Sequence, residues 1–158
     1  MRTSSTSPMA ARIRGLRANS FAATVMLLIE FGLGMGVNLF AGLPASDRGK
    51  GFFAAFAGAV ASGPVVLSVH ALVGTLLLVT ASVAVVRAAR TGRWPLLVWA
   101  ALGLLAIITA WVSGTRFVGG SDSGTSLAMA LATAVALLCY ATILLLYPAD
   151  GPRAPTSE

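Results

Sequence analysis

The sequence predicts an all-α polytopic membrane protein: a bundle of four transmembrane helices with a short outer interfacial helix. Three observations predict this fold. Hydrophobic residues make up 57% of the 158-residue chain and charged residues 10%, whereas a soluble domain carries roughly 25% charged residues. The apolar residues form four runs, and each is about as long as the roughly 20 helical residues that cross a bilayer. Because lipid offers the backbone no hydrogen-bonding partner, these runs must be helical.

The four spans are bounded by residues that begin or end helices. Pro95 suits the first turn of the third span, where its missing N–H costs nothing. Residues 121–124 ("SDSG") offer caps to the fourth span, and Pro148 ends it. The predicted membrane domain covers residues 21–147, with spans at residues 21–42, 65–86, 95–113 and 125–147.

The segments outside the spans are of two kinds. Residues 1–20 and 148–158 are polar, and they are predicted to be disordered cytoplasmic tails. Residues 51–64 are apolar, and one helical face of this segment carries Phe52, Phe53, Phe56 and Val60. Such a face is typical of a short helix lying in the outer membrane interface.

Positive charge distinguishes the two sides of the membrane. The side with both termini carries Arg2, Arg12, Arg14, Arg17, Arg87, Arg90, Arg93 and Arg153. The other side carries only Arg48, Lys50 and Arg116. An excess of basic residues marks the cytoplasmic side, so both termini are predicted to be cytoplasmic, in a bacterial inner membrane. The basic residues flank apolar runs and form no face that could follow a phosphate backbone, so no nucleic-acid partner is predicted.

Two ionisable residues lie inside predicted spans, Glu30 in the first and His70 in the second. Such a residue costs roughly 2.5–3.5 kcal/mol on insertion scales and is a functional candidate by default. At about 100° per residue, Glu30 shares a helix face with Gly34, and His70 shares one with Gly74. Membrane helices pack closely through small residues. Both polar side chains are therefore predicted to point into the bundle.

The opposite side of the first helix also carries small residues. Gly32 and Gly36 form a small-xxx-small pair there. The first helix could thus pack closely on two sides. It would then lie centrally in the bundle or contact a second protomer.

Glu30 and His70, together with Asn38 near the end of the first span, form a candidate intramembrane polar site with three interpretations. In the first, Glu30 is protonated or paired with His70, and the two side chains hold the helices in register. In the second, Glu30 is the proton or cation site of a small transporter. In the third, His70 is a cofactor ligand.

A second group of polar residues belongs to the outer half of the third and fourth spans. A supporting outer cluster on one face of the third helix comprises Thr109, Ser113 and Arg116. Ser126 and Thr133 are predicted to line the fourth helix, and Asp122 is placed to pair with Arg116. These groups would line an outward-opening cleft or join the helices by hydrogen bonds worth about 0.6 kcal/mol each.

Three stretches carry a resemblance to known sequences: "MGVNLFAGLP", "GPVVLSVHALVGTLLLVTA" and "TRFVGGSDSGTSLAMALATAVALLCY". Over residues 21–147 the chain resembles a group of uncharacterised small four-span integral membrane proteins of high-GC bacteria. The most specific part is the Asn-Leu of the first span with the His-x-x-x-Gly of the second. This resemblance implies a four-helix membrane fold and no particular activity.

Two characterised classes share the four-helix plan without the motifs. Small multidrug-resistance transporters carry a carboxylate in their first helix, which Glu30 would match. Their connections are shorter than residues 43–64 of this chain, and their aromatic substrate cage has no counterpart here. Diheme b-type cytochromes hold haem with paired histidines, whereas His70 is the only histidine here. A second haem ligand would have to come from another copy of the chain, or from Met35 or Met129.

The sequence contains no recognisable catalytic constellation. It has no G-x-S-x-G, P-loop or HExxH motif. Its single cysteine, Cys139, offers no intramolecular disulfide and no Cys/His metal site. The chain is therefore predicted to be a non-enzymatic integral membrane protein with no metal or cofactor, such as a homo-oligomer or an accessory subunit of a larger membrane complex. The alternatives are proton-coupled small-molecule binding or transport through the Glu/His pair, and a haem-binding membrane protein with one histidine per protomer.

Overall fold

A computed structural model describes residues 7–40, 51–120 and 123–146, and these residues form five α-helices and no strands. The helices are α1 (Pro8–Phe40), α2 (Phe52–Ala61), α3 (Val65–Ala89), α4 (Trp94–Gly120) and α5 (Ser123–Leu146). All but the short α2 are long and apolar enough to cross a membrane. The prediction of an all-α bundle with four transmembrane helices and one short additional helix is confirmed.

The four long helices form a closed ring. Helix α1 packs against α3 and α5, and α4 also packs against α3 and α5. Helix α1 is antiparallel to α3, since Gly15 lies against Arg87 at one end and Gly36 lies against Val66 at the other. Helix α2 covers the ring by packing on α3 and α4. We call the end where α1 begins and α3 ends the basic end, and the end where α1 finishes the far end.

Small side chains hold the helices close together. Six fully buried positions of the core are alanines: Ala23, Ala81, Ala84, Ala88, Ala100 and Ala136. Many large apolar side chains instead point outward, among them Phe21, Leu28, Leu76, Leu105 and Leu138, each more than half exposed. Lipid is as apolar as leucine, so membrane helices gain more from close backbone approach than from burying large side chains. The distribution matches a bundle surrounded by lipid.

Helix α1 begins much earlier than the predicted first span. The prediction of a disordered tail for residues 1–20 is wrong over residues 8–20, which are helical; residues 1–6 lie outside the described residues. Leu16 and Ser20 are buried in the bundle, and Asn19 Nδ2 donates a hydrogen bond to the carbonyl of Thr80 at 2.9 Å. This segment is ordered because it packs against α3, a contact that polarity along the sequence does not report.

Arginine side chains join this first part of α1 to the ends of α3 and α5 by hydrogen bonds. Arg12 Nη1 donates to the carbonyl of Arg90 at 2.9 Å, and Arg17 Nη1 donates to the carbonyl of Leu144 at 2.8 Å. The last carbonyls of a helix have no partner within it, so these bonds satisfy the ends of α3 and α5. In the other direction, Arg87 Nη1 donates to the carbonyl of Gly15 at 2.6 Å.

The other helices also run past their apolar stretches. Helix α3 continues to Ala89, α4 to Gly120, and α5 begins at Ser123. Backbone hydrogen bonding does not stop where hydropathy falls, so the predicted spans 65–86, 95–113 and 125–147 were too short at these ends. Pro95 occupies the first turn of α4 as predicted. Residues 41–42 of the first span, the 148–158 tail and Asp122 lie outside the described residues.

Helix α2 realises the helix predicted within residues 51–64. Its Phe56 packs on Trp111 of α4, with ring centroids 5.4 Å apart at 51°. Ala59 is buried, and its carbonyl accepts a hydrogen bond from Ser68 Oγ at 3.0 Å. Phe53 is exposed. The predicted aromatic face is thus divided, because Phe56 packs on α4 while Phe53 stays mostly exposed.

The buried hydroxyl of Tyr140 yields a stability prediction. Tyr140 is fully buried in α5, and its hydroxyl has no hydrogen-bond partner. An unsatisfied buried polar group costs about 1–3 kcal/mol. Tyr140→Phe is therefore expected to raise the midpoint of thermal unfolding in detergent, measured by circular dichroism.

Thr91 provides the matched control for this prediction. It is also buried, but its hydroxyl donates to the carbonyl of Ala88 at 2.6 Å and accepts from the backbone N–H of Arg93 at 3.3 Å. Thr91→Val should lower the midpoint, because it leaves that N–H without this acceptor. A lower midpoint for Tyr140→Phe would contradict the prediction.

Candidate functional site

Glu30 and His70 meet in the interior of the bundle. Antiparallel packing of α1 on α3 brings His70 Nδ1 to 3.0 Å from Glu30 Oε1. Only 13% of the Glu30 side chain and 16% of the His70 side chain are exposed. The two intramembrane ionisable residues thus form one site.

A glycine on each helix makes room for this pair. A Cβ atom on Gly74 would lie 2.8 Å from Glu30 Oε1, and a Cβ on Gly34 would lie 3.3 Å from His70 Cε1. Each glycine follows the ionisable residue of its own helix by four positions, so it lies one turn further along the same face. The carboxylate rests on the glycine of α3, and the imidazole rests on the glycine of α1. A larger side chain at either position would occupy the space of the pair.

The hydrogen bonding of the pair is incomplete. Glu30 Oε2 is buried with no hydrogen-bond partner, and His70 Nδ1 also lacks one despite its 3.0 Å approach to Oε1. The approach of Nδ1 is close enough for an ion pair, but its N–H is not aligned for a hydrogen bond. A buried acceptor left unsatisfied is costly. Oε2 therefore has capacity for a donor that the described residues do not supply.

The pair lies in the wall of a cavity of about 140 Å³. Residues of all four long helices and of α2 line the cavity. A cavity of about 150 Å³ in another protein binds benzene, so this one has room for a ligand of about one ring. It extends from Leu27 and Ile107 in the middle of the bundle to Asn38 and Ser126 at the far end.

The cavity wall is mostly apolar and rich in aromatic residues. The aromatic side chains that line it are Phe31, Phe56, Trp111 and Phe117. Glu30 and His70 are the only ionisable residues among the described lining residues. Thr133 and Thr115 donate their hydroxyls to carbonyls of their own helices. Charge in the cavity is therefore confined to one place.

The structure gathers some predicted polar residues and not others. Asn38, Ser126 and Thr133 line the cavity with Glu30 and His70. The outer cluster of Thr109, Ser113 and Arg116 does not line it, because these residues lie on a different face of α4 from Trp111 and its neighbours. Thr109 and Arg116 are exposed, and Ser113 is buried elsewhere. A supporting role for this cluster stays a prediction, and it would not act through the cavity wall.

The four glycines predicted to pack helices also differ in their surroundings. Gly34 and Gly74 contact the pair, and a Cβ on Gly36 would make an ordinary contact of 3.7 Å with Val66. Nothing lies within 4 Å of a Cβ on Gly32. Gly32 therefore faces away from the described part of the bundle, and residues 7–40, 51–120 and 123–146 make no close packing contact with it.

Trp111 and Phe56 are cavity residues that the sequence patterns did not indicate. Trp111 fits the aromatic belt of a membrane interface, and Phe56 fits an interfacial helix. The fold-back of α2 over α4 makes both of them part of the cavity wall. No periodicity within one helix reports such a contact.

The haem interpretation can be compared with the size of the cavity. Met35 and Met129, the predicted alternatives for a second ligand, line the cavity with His70. A cavity of about 140 Å³ holds about one six-membered ring, whereas a porphyrin contains four pyrrole rings. A haem on His70 would therefore have to extend beyond this cavity.

Comparisons with protein-family models, with curated proteins and with solved structures found no match to this chain.

Proposed function

We propose that this protein binds a small, mostly apolar molecule bearing one amine inside the bundle, with the amine on Glu30. The observation that carries the proposal is Glu30, which lines an apolar cavity of about 140 Å³ and whose buried Oε2 has no hydrogen-bond partner. We place the protein in a bacterial inner membrane with the basic end in the cytoplasm. The concentration of arginines at that end supports this orientation.

An amine suits the chemistry of the wall. An ionised carboxylate only accepts hydrogen bonds, and a bond from a charged N–H donor is roughly twice as strong as a neutral one. Trp111 lines the same cavity, and an indole ring attracts a nearby cation. One ammonium group would satisfy Oε2 and leave the rest of the ligand against apolar side chains.

The route of entry also favours a lipophilic ligand. Phe31 and Met35 line the cavity and are each about half exposed on the outer surface of α1. That surface faces lipid in a membrane-embedded bundle. A molecule with an apolar body partitions into lipid and would reach the cavity from there.

The Glu/His pair provides a means of coupling binding to protons. A cation that binds Glu30 competes with a proton for the same carboxylate. His70 Nδ1 lies 3.0 Å from Oε1, so the imidazole borders the carboxylate that the amine would occupy. In our proposal the amine replaces a proton at this pair, which is the chemistry that a proton-coupled binding or transport protein requires.

The proposal is tested with benzylamine and its neutral relative ethylbenzene. Binding to the detergent-purified protein is followed by tryptophan fluorescence, because Trp111 lines the cavity; a Trp111→Phe variant identifies its signal. Glu30→Gln should weaken benzylamine binding about 10- to 100-fold, the loss expected for a charged hydrogen bond. Ethylbenzene binding should stay unchanged.

Thr109→Val is the control, since Thr109 is an exposed polar residue of α4 outside the cavity. It should bind both compounds like the wild type. Equal benzylamine affinities for Glu30→Gln and the wild type would overturn the proposal. If neither compound binds and a partner protein copurifies after gentle solubilisation, the accessory-subunit hypothesis is favoured instead.

A further inference from the structure

The basic end of the bundle carries a concentration of positive charge that the proposed cavity does not use. Six of the arginines in the described residues lie there: Arg12, Arg14, Arg17, Arg87, Arg90 and Arg93. Glu30 is the only acidic residue in the described part of the chain, and it is paired with His70 in the interior. No described carboxylate therefore offsets the charge at this end.

The hydrogen bonds of Arg12, Arg17 and Arg87 leave the positive charge of these side chains in place. Arg12, Arg17 and Arg87 donate to backbone carbonyls, which carry no net charge. Each of these bonds uses one of the five N–H groups of a guanidinium. Arg87 and Arg90 are also exposed at the end of α3. The surface is thus suited to an anion.

An open strip on the outer surface of α3, which we call the groove, leads to these two arginines. It is lined by Leu78, Val79, Ser82, Val83, Val86, Arg87 and Arg90. From Leu78 to Arg90 the helix rises about 18 Å, and one leaflet of the hydrocarbon core is about 15 Å deep. The groove therefore has the length of one leaflet, with apolar residues along it and cations at its end.

We infer that this groove binds an anionic phospholipid. An acyl chain lies along Val79, Val83 and Val86, and the headgroup phosphate lies on Arg87 and Arg90. Guanidinium groups match phosphate oxygens in geometry and charge, and basic sites beside membrane helices bind anionic headgroups. Hydrogen bonds from Arg12 of α1 and from Arg87 of α3 join these two helices. A lipid bound to α3 would therefore also stabilise the basic end of the bundle.

Native mass spectrometry of the delipidated protein tests this inference. The protein is mixed with equal amounts of the anionic lipid POPG and the zwitterionic lipid POPC. The wild type should bind POPG in preference to POPC. Arg90→Gln should reduce that preference about fivefold, the factor expected for one arginine near an anionic headgroup. This variant keeps the Arg90 carbonyl, so the bond from Arg12 is retained.

Two further variants separate the groove from general charge. Arg116→Gln removes an exposed arginine at the other end of α4 and should leave the preference for POPG unchanged. Val83→Trp should reduce POPG binding by filling the groove without changing its charge. Equal binding of POPG and POPC to the wild type would overturn the inference. So would an equal loss in Arg116→Gln, or unchanged binding in Val83→Trp.

A soluble phosphate is distinguished by competition. Glycerol 1-phosphate carries the phosphate and glycerol of the headgroup without acyl chains. If the groove binds lipid, glycerol 1-phosphate should not displace POPG at equal concentration. Complete displacement would mean that the site recognises a soluble phosphate ester, which would also overturn the inference.

Discussion

Replacing Gly103 by valine is expected to lower the free energy of unfolding by about 1–3 kcal/mol, the usual cost of overpacking a core. Even a single Cβ at this position of α4 would lie 2.9 Å from Cζ of Tyr140 on α5. Tyr140 is fully buried, so its ring has no exposed space to move into. Separation of α4 from α5 would expose the core between them.

Circular dichroism during thermal unfolding in detergent measures this effect. Gly32→Val is the matched control, because both substitutions put a β-branched residue into a long apolar helix and nothing lies within 4 Å of a Cβ on Gly32. The control should unfold close to the wild type. Equal midpoints for the two variants would mean that the contact between α4 and α5 does not require glycine.

Gly74→Ala is expected to weaken benzylamine binding about tenfold or more. It should lower the free energy of unfolding much less than Gly103→Val does. A Cβ on Gly74 would lie 2.8 Å from Glu30 Oε1, so the carboxylate must move. It can move at low cost, since it is the end of a flexible side chain. The loss of one well-placed charged hydrogen bond corresponds to at least about tenfold in affinity.

Gly36→Ala is the control for this second prediction. Gly36 lies on the same pair of helices, but a Cβ there would make only an ordinary contact with Val66 at 3.7 Å and would not reach the Glu/His pair. Benzylamine should bind Gly36→Ala as it binds the wild type. Wild-type affinity in Gly74→Ala would show that the position of the Glu30 carboxylate does not determine binding.

The positions of Glu30 and His70 could be predicted in part from the sequence. Each shares a helix face with a glycine one turn away, and this pattern correctly indicated that both side chains point into the bundle. Their contact also depends on the register of α1 against α3. That register comes from several contacts along both helices, including Gly15 with Arg87 and Gly36 with Val66.

The polar residues of α4 and α5 show where such reasoning fails. The stripe of Thr109, Ser113 and Arg116 is a regular helical face, yet it does not line the cavity. Ser126 and Thr133 on α5 do line it. A periodic pattern along one helix identifies the residues that share a face. The packing of that helix against its neighbours decides which face points inward.

The sequence by itself determined the number of membrane spans, their helical nature and the concentration of arginine at one end. These properties follow from the hydropathy and charge of each residue. Hydropathy and charge determine how a residue interacts with lipid and water, whichever residues it packs against. Tertiary structure alone decided that residues 8–20 extend α1, that α2 closes the cavity with Phe56 on Trp111, and which glycines make contact. These features depend on how the shapes of several helices fit together, and a pattern along one helix contains no information on that fit.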